Sequence, residues 1–438
     1  MVPVELSVIP GSVPPPRSGN VAYLANLSRL FFENEELTAR LRETVQTLES
    51  YGGRLLPILC LLWDGERSIL AIERRPWPDL ETYFRHDLRL RLPRLFTYDP
   101  NHPWSGDLPA EIRKTPHCHL DGFVTDHHLA ELAARTGARL AGSVSGSRQG
   151  NNKVLLRRFL EQHGELVFDG FEAASPRDVR RAARSLSQLG YRTAVAKAAV
   201  GASGIGLARF ETSRPPEIPE SYFLEGPCLV EGWLDRSFPG IKSVASPSVQ
   251  MVITESRIFL YDITDQILSP DSIHEGNTAP PESFSDPAVT EELLRLAGVA
   301  ARWLHTREYR GTASADFHLA RRDSDPPEIR ICELNARVTG ATYPSLMARH
   351  FLPKGAWLMR NLHFPDPDKG PKILHDLLQS NLLFRPGASS GVLPFNLNTD
   401  DRGRIHKGQF LFLASGPQRV RSLLDRTVAK EHLSFTRD

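Results

Sequence analysis

Glu333, Asn335 and Arg337 stand two residues apart in the run Ile331-Cys332-Glu333-Leu334-Asn335-Ala336-Arg337-Val338-Thr339-Gly340. On an extended strand alternate side chains share a face, so all three point the same way. A carboxylate and an amide oxygen can hold Mg²⁺ there while a guanidinium meets a phosphate. Well upstream, Val195-Ala196-Lys197 puts a lysine in an apolar strand, and Gly201-Ala202-Ser203-Gly204-Ile205-Gly206 follows it. Consecutive backbone N–H groups in such a loop can wrap phosphate oxygens. A buried lysine is costly unless its charge is met, and either an ion pair or a phosphate would meet it. The glycine run is neither a Walker A sequence nor GxGxxG, and alone it reads as a hairpin turn. Taken together, the pieces describe a site for Mg²⁺–ATP.

The elements that position these groups can be read around them. Strands at 312–319 and 329–337 flank a polar connection, and a hairpin centred between Ser324 and Asp325 puts position 316 opposite position 333. Asp316 and Glu333 would then have Cβ atoms about 4.5–5.5 Å apart. Carboxylates that close repel unless a cation lies between them, so the register itself predicts a metal. Ile329 and Ile331 share the alternation of Glu333, which predicts a buried face. Arg337 could pair with a neighbouring acid, or meet a transferring phosphoryl group from the strand end.

Asn151 or Asn152 can cap a helix over 153–163 with Gly164 as its stop, and Ser175-Pro176 opens another that closes at Gly190. Strands are expected at 193–200, 227–234 and 249–254, the last pairing with 257–263. The Pro-, Ser- and Gly-rich stretch 269–285 reads as a long loop able to cover a site. Asp286-Pro287 starts an amphipathic helix with Leu293, Leu296, Ala300, Trp303 and Leu304 on one side. Nearer the N-terminus the first twenty residues read as an arm, and 30–48 as a polar helix. Leu55–Trp63 and Ser68–Ile72 read as a hairpin about Asp64-Gly65. After residue 365 a helix near 373–380, strands at 391–395 and 409–413 and a helix over 420–430 form an α+β extension. The expected organisation is an α/β domain over 1–150, a body over 151–365 and the extension over 366–438.

Composition narrows the class. The 438 residues suffice for two or three domains, with 40% apolar and 24% charged residues, as in ordinary globular proteins. With 53 basic against 52 acidic residues the net charge is +1, which gives no argument for nucleic acid or an anionic membrane as partner. The longest apolar run, 55–63, is far short of the ~20 residues of a membrane span, and no secretory pattern opens the chain. The four scattered cysteines, Cys60, Cys118, Cys228 and Cys332, fit free thiols in a reducing cytoplasm. His117-Cys118-His119 with His127-His128 fits no common structural-zinc spacing.

The order lysine, glycine loop, acid-x-Asn-x-Arg resembles the ATP-grasp superfamily of carboxylate–amine ligases. The resemblance covers roughly residues 151–346. It implies that Lys153, in Asn151-Asn152-Lys153-Val154-Leu155-Leu156, contacts ATP, with Asn152 where the family usually has Asp. It implies that Lys197 and the loop residues Gly201, Ser203, Gly204 and Gly206 hold the phosphates. It also implies that Glu231, Gly232 and Leu234 form a hinge holding adenine through its backbone, and that Asp316 joins Glu333 and Asn335 as metal ligands. The domain order agrees: a pre-ATP-grasp α/β domain, an ATP-grasp body of two α+β subdomains clamping ATP, and a short α+β tail. Asp265-Gln266-Ile267-Leu268 and His274-Glu275-Gly276-Asn277-Thr278 are similar to the peptide ligases of pheganomycin type.

The activity so implied is ATP-dependent amide formation through an acyl phosphate, in peptide natural-product biosynthesis, with one or two Mg²⁺. The substrates would be a small-molecule or amino-acid carboxylate and an amine or peptide acceptor, and Arg337 would stabilise charge on the acyl phosphate. The partners expected are these small molecules, neither nucleic acid nor membrane, with a homodimer left open. An ATP-grasp phosphotransferase and a non-catalytic nucleotide-binding scaffold are the alternatives, separable by their products.

Overall fold

A computed structural model of the chain describes residues 4–45, 52–99, 101–202, 204–269, 274–322, 326–400 and 402–435. Ser203 and the expected turn at Ser324-Asp325 lie outside them. The first layer is a parallel sheet of β2 (Asn20–Leu24), β3 (Ile69–Ile72), β4 (Arg94–Thr97), β5 (Cys118–Gly122) and β6 (Arg139–Leu140), in the order β4-β3-β2-β5-β6. β2 and β3 are buried throughout, which explains why they read as unbroken apolar runs without alternation. The N-terminal arm contains β1 (Glu5–Val8), which pairs in parallel with a strand of the main sheet described below.

One sequence expectation fails here. Residues Gly52–Leu62 form an α-helix, not the first strand of a hairpin, and Asp64-Gly65 leads through a short 3₁₀ turn into β3. Leu55, Leu56, Ile58, Leu59 and Leu62 are all buried. A helix covered on several sides has an apolar run as dense as a core strand's, so periodicity could not separate the two.

The second layer is a small antiparallel sheet of β7 (Gly170–Ala173), β8 (Thr193–Ala202), β9 (Ile205–Glu211) and β10 (Cys228–Gly232), in the order β7-β10-β8-β9. Its helices span Lys153–Gln162 and Pro176–Gln188. The side chain of Asn152 caps the first at the N–H groups of Val154 and Leu155, and Ser175 caps the second. Ala194, Ala196, Ala198 and Val200 join the core of Val179, Ala182, Ala183 and Leu186. Alternation turns Lys197 to the other face, where Ala199 and Leu229 meet Val154 of the Lys153–Gln162 helix.

The third layer is a ten-stranded sheet. It holds β11 (Ser243–Ala245), β12 (Pro247–Ile253), β13 (Arg257–Leu268), β14 (His274–Ala279), β15 (Gly311–Arg321), β16 (Glu328–Asn335), β17 (Ala356–His363), β18 (Gly391–Thr399) and β19 (Ile405–Ala414). The path is β11-β15-β12-β13-β14-β17-β19-β18, with β16 on β15 and β1 on β13. Helix Pro287–Thr306, capped by Asp286, packs Leu293, Leu296, Ala300 and Leu304 into the core of this sheet.

A further expectation is corrected. Residues 274–279 of the supposed covering loop are β14, held between β13 and β17. Its sequence, His-Glu-Gly-Asn-Thr-Ala, has no apolar alternation, because it presents polar groups inside the molecule. Residues 270–273 of that stretch are outside the described residues. The strands after residue 365 extend the main sheet through β17, so the α+β extension shares the body's sheet. Among the described residues no helix is long and apolar enough to cross a membrane.

Candidate functional site

β15 and β16 are antiparallel, with Asp316 opposite Glu333 and Ser314 opposite Asn335, as the sequence spacing predicted. The reason given for burial was wrong, however. The register slips between Asp316 and Phe317, whose partner is Ile331, so Cys332 is an extra residue on β16. This bulge turns Ile329 and Ile331 to the far side, into the core with Phe317 and Leu319, and leaves Glu333 facing the site. Simple alternation would have put Ile331 and Glu333 on one face.

The acid row is tightly bonded. Asp316 Oδ1 accepts from Ser248 Oγ at 2.6 Å and Ser314 Oγ at 3.2 Å, and Oδ2 accepts from Asn335 Nδ2 at 2.9 Å. Arg337 donates to the Asn335 amide oxygen and, at 3.3 Å, to Asn151 Oδ1. Asn151 also binds both backbone groups of Ala336, at 3.1 and 3.2 Å, fixing the chain just past the strand. Lys153 Nζ lies 2.7 Å from Glu333 Oε2 and 3.2 Å from the Gly201 carbonyl, which links the acid row to the glycine loop.

Electrostatics divides the two carboxylates. Burial, then the Glu333 charge, pushes Asp316 up to about 6. Burial also works against ionised Glu333, but Lys153 and Arg337 outweigh it and hold that carboxyl below its ordinary value. Arg337 is itself lowered by burial, against the pull of Glu333 and Asp316.

The second cluster is in the small sheet. Register places Leu229 opposite Lys197 and Val195 opposite Glu231, so Lys197 and Glu231 are diagonal neighbours on one face. Their Nζ–Oε2 distance is 2.7 Å, and Arg157 Nη1 lies 3.2 Å from the other oxygen of Glu231. Burial opposes the Lys197 charge, yet Glu231 carries its pKa upward. Phe168 lies beneath, with Lys197 Nζ 5.3 Å from its ring centroid.

The glycine loop is the β8–β9 turn, where the pairing slips between Lys197 and Ala202. Gly204 and Gly206 both adopt φ +79°, a conformation that side-chain-bearing residues rarely take. In the expected hinge, the Gly232 and Trp233 N–H groups bond the Asp169 and Thr193 carbonyls. Leu234 follows the strand, and its carbonyl is 2.9 Å from His318 Nε2.

The structure therefore brings Lys153, Gly201, Asp316, Glu333, Asn335 and Arg337 together. Lys197 and Glu231 form a second group, joined to the first through Lys153 and the loop. Sequence reasoning missed Arg157 and the part that Asn151 plays beside Arg337, as well as Ser248 and Ser314. A signal for Ser248 existed: Ser248 and Gln250 are polar at alternate positions of β12, a strand buried at every residue. Among the described residues no group of three His, Cys, Asp or Glu could hold a metal, so the hard-donor set is two carboxylates and an amide.

No family model matches the chain. The chain has the ATP-grasp fold. N5-carboxyaminoimidazole synthase from Aspergillus clavatus, solved with ADP and its aminoimidazole ribonucleotide, aligns over 95% of this chain and 99% of its own. The TM-score is 0.54 and the identity 15%. Biotin carboxylase from Campylobacter jejuni, solved as an ATP-type complex, covers 95% of this chain and 92% of its own, with TM-score 0.56 and 13% identity. Among curated proteins, the [butirosin acyl-carrier protein]–L-glutamate ligase of Niallia circulans is 29% identical over 225 residues. That match spans 50% of this chain and 51% of the ligase, about half the length of each.

Proposed function

We propose that this protein joins a carboxylate to an amine at the expense of ATP, through an acyl phosphate, releasing ADP and phosphate. The observation that carries the reading is the opposed pair Asp316 and Glu333, with Asn335 and Arg337 bonded beside it and Lys153 bridging to the glycine loop. The likeness to a curated ligase acting on L-glutamate and an acyl-carrier protein supports it, as does the shared fold. We take the body as 151–365, with the α/β domain before it and the extension after it.

The residues fit Mg²⁺. Two carboxylates and an amide oxygen are hard donors, and the raised proton affinity of Asp316 beside Glu333 marks a place where a cation relieves repulsion. Asp316, Glu333 and Asn335 would hold one or two such ions, which would supply positive charge to offset that of the phosphates. Lys153 and Lys197 would exchange Glu333 and Glu231 for phosphate oxygens, and residues 201–206 would wrap the phosphates. The backbone at Glu231, Gly232 and Leu234 would border adenine. A carboxylate oxygen attacks the γ-phosphorus as the bond to ADP breaks, and Arg337 stabilises the charge that develops. The amine nitrogen then attacks the acyl carbon, phosphate leaves, and the amine loses its proton. This sequence needs no protein nucleophile.

An ¹⁸O-labelled substrate carboxylate tests it. One labelled oxygen should appear in inorganic phosphate, with ADP as co-product. Label confined to the amide, or AMP with pyrophosphate, would overturn the acyl-phosphate route. A phosphorylated product without amide would point to a phosphotransferase.

A further inference from the structure

The main sheet carries a row of amide side chains that the nucleotide site does not use. Asn361 on β17 stands opposite Gln409 on β19, and Gln409 stands opposite Asn396 on β18. One step along the same face, Lys407 is opposite Asn398. Asn277 of β14 shares this face, being opposite Met359, two residues before Asn361. Asn277, Asn396 and Asn398 are each 1% exposed and Gln409 5%. Polar groups this deep are rare without a task, because each must find a hydrogen-bond partner.

Most do find one. Gln409 Nε2 donates to Asn361 Oδ1 at 2.8 Å, Tyr343 OH donates to Gln409 Oε1 at 2.6 Å, and Asn396 Nδ2 donates to Asn398 Oδ1 at 2.7 Å. Asn396 Oδ1 has none, although it is buried. On the other side of Gln409, Asn361 is half-buried, so the row reaches the surface there, and its Nδ2 bonds none of the described residues. A buried unmet acceptor and a partly exposed amide donor flank the bonded amide of Gln409. Two strand spacings, about 10 Å, separate their backbones.

The row is tied to the phosphate end of the site at two points. Tyr343 belongs to the helix Thr342–Phe351, which directly follows the Arg337–Gly340 segment. His274 bonds Asn277 at 2.5 Å, and a Cβ on Gly340 would lie 2.6 Å from the His274 ring. Arg337 and Gly340 are three residues apart, which spans at most about 11 Å of chain. On the opposite side, Gly53 lets the N-terminal helix lie on the backbone of Phe395, where a Cβ would sit 1.8 Å from the carbonyl oxygen.

We propose that the Asn361–Gln409–Asn396 row is the subsite for an amino-acid or short-peptide substrate, which it reads through the substrate's own amide groups. An amino acid or dipeptide carries N–H donors and carbonyl or carboxylate acceptors at separate points along its length, so that it can meet Asn396 Oδ1 and Asn361 Nδ2 individually. Its reacting end would lie toward Arg337. The assignment of a substrate here rests on the ligase reading, whereas binding itself does not.

Calorimetric titration of the full chain with L-glutamine, L-glutamate, glycylglycine and L-alanyl-L-glutamine tests it. At least one should bind the wild type. Asn361→Ala and Asn396→Leu should each weaken that binding tenfold or more, with the Mg²⁺–ATP-induced rise in Tm retained. Asn361 is half-buried at the edge of the row, so its variant keeps the test open if Asn396→Leu does not fold. The inference is overturned if none of the four binds, or if the variants bind equally well and only melt earlier, which would make the row a register lock. If binding behaves as expected but no amide forms with ATP, the ligase reading fails and the subsite stands. If amide forms with unchanged KM in both variants, the reverse holds.

Discussion

The two charged clusters solve the burial of ions in different ways. In the small sheet, Glu231 is met at both oxygens, by Lys197 and Arg157, and Arg157 also pairs with the more exposed Glu161, so the charges of the group balance. Its central pair comes from adjacent strands of one sheet. In the main sheet, Asp316 and Glu333 oppose each other, and their compensation comes from outside the hairpin: Lys153 from a helix of the other layer, and Arg337 from beyond the strand. The first cluster is balanced within itself. The second retains an acidic partner whose proton affinity is raised, as suits a site awaiting a cation.

Substitutions can break that contrast. The largest effect is expected for Glu333→Gln, which keeps size but removes a donor charge and the partner of Lys153. Turnover should fall by about 100-fold or more, and Mg²⁺ should no longer add to the Tm rise with ATP, while the unliganded fold persists. Near-normal turnover with an unchanged Mg²⁺ effect would place the metal elsewhere.

Lys197→Met should come next. The methionine stem keeps the packing, and Arg157 still meets Glu231, so stability should fall less than ATP affinity does. Direct titration should show a loss of about tenfold in ATP binding, consistent with one charge-assisted contact. A lower Tm with unaltered ATP affinity would make Lys197 a structural ion-pair residue.

A smaller effect should appear with pH in the apoprotein. Asp316 is raised from 3.8 to about 6, so between these values the folded chain holds more protons than the unfolded chain. Stability from this group is therefore present below about pH 4 and lost as pH rises through 6. Melting at pH 5 should exceed melting at pH 7 by more in the wild type than in Asp316→Asn. An identical pH dependence in the two would show that Asp316 is not the strained member of the pair.

The smallest effect concerns the bulge. Burial is the main cause of a Cys332 thiol pushed up to about 12, with Lys197 opposing it. Native protein at pH 8 should leave Cys332 unalkylated by iodoacetamide while unfolded protein reacts. Rapid native labelling would place the thiol in a different setting from the one the bulge creates.

The sequence by itself determined the elements whose signals are local. The caps Asn152, Ser175 and Asp286 acted where side-chain chemistry said they would, and the opposition of Asp316 to Glu333 followed from counting along two strands. It could not distinguish helix from strand at Gly52–Leu62, since burial on several sides erases the period. Nor could it find β14, whose polar residues face the interior and mimic a loop. The bulge at Cys332 was invisible too, because an extra residue changes faces without changing composition. Only the tertiary structure decided which lysine met which acid: Lys153 and Glu333 are 180 positions apart, and nothing local selects that pair. Pairing at that range depends on how the Lys153–Gln162 helix docks, and its Leu156 and Leu160 are buried in the main sheet's core with Ile331 and Leu334 of β16.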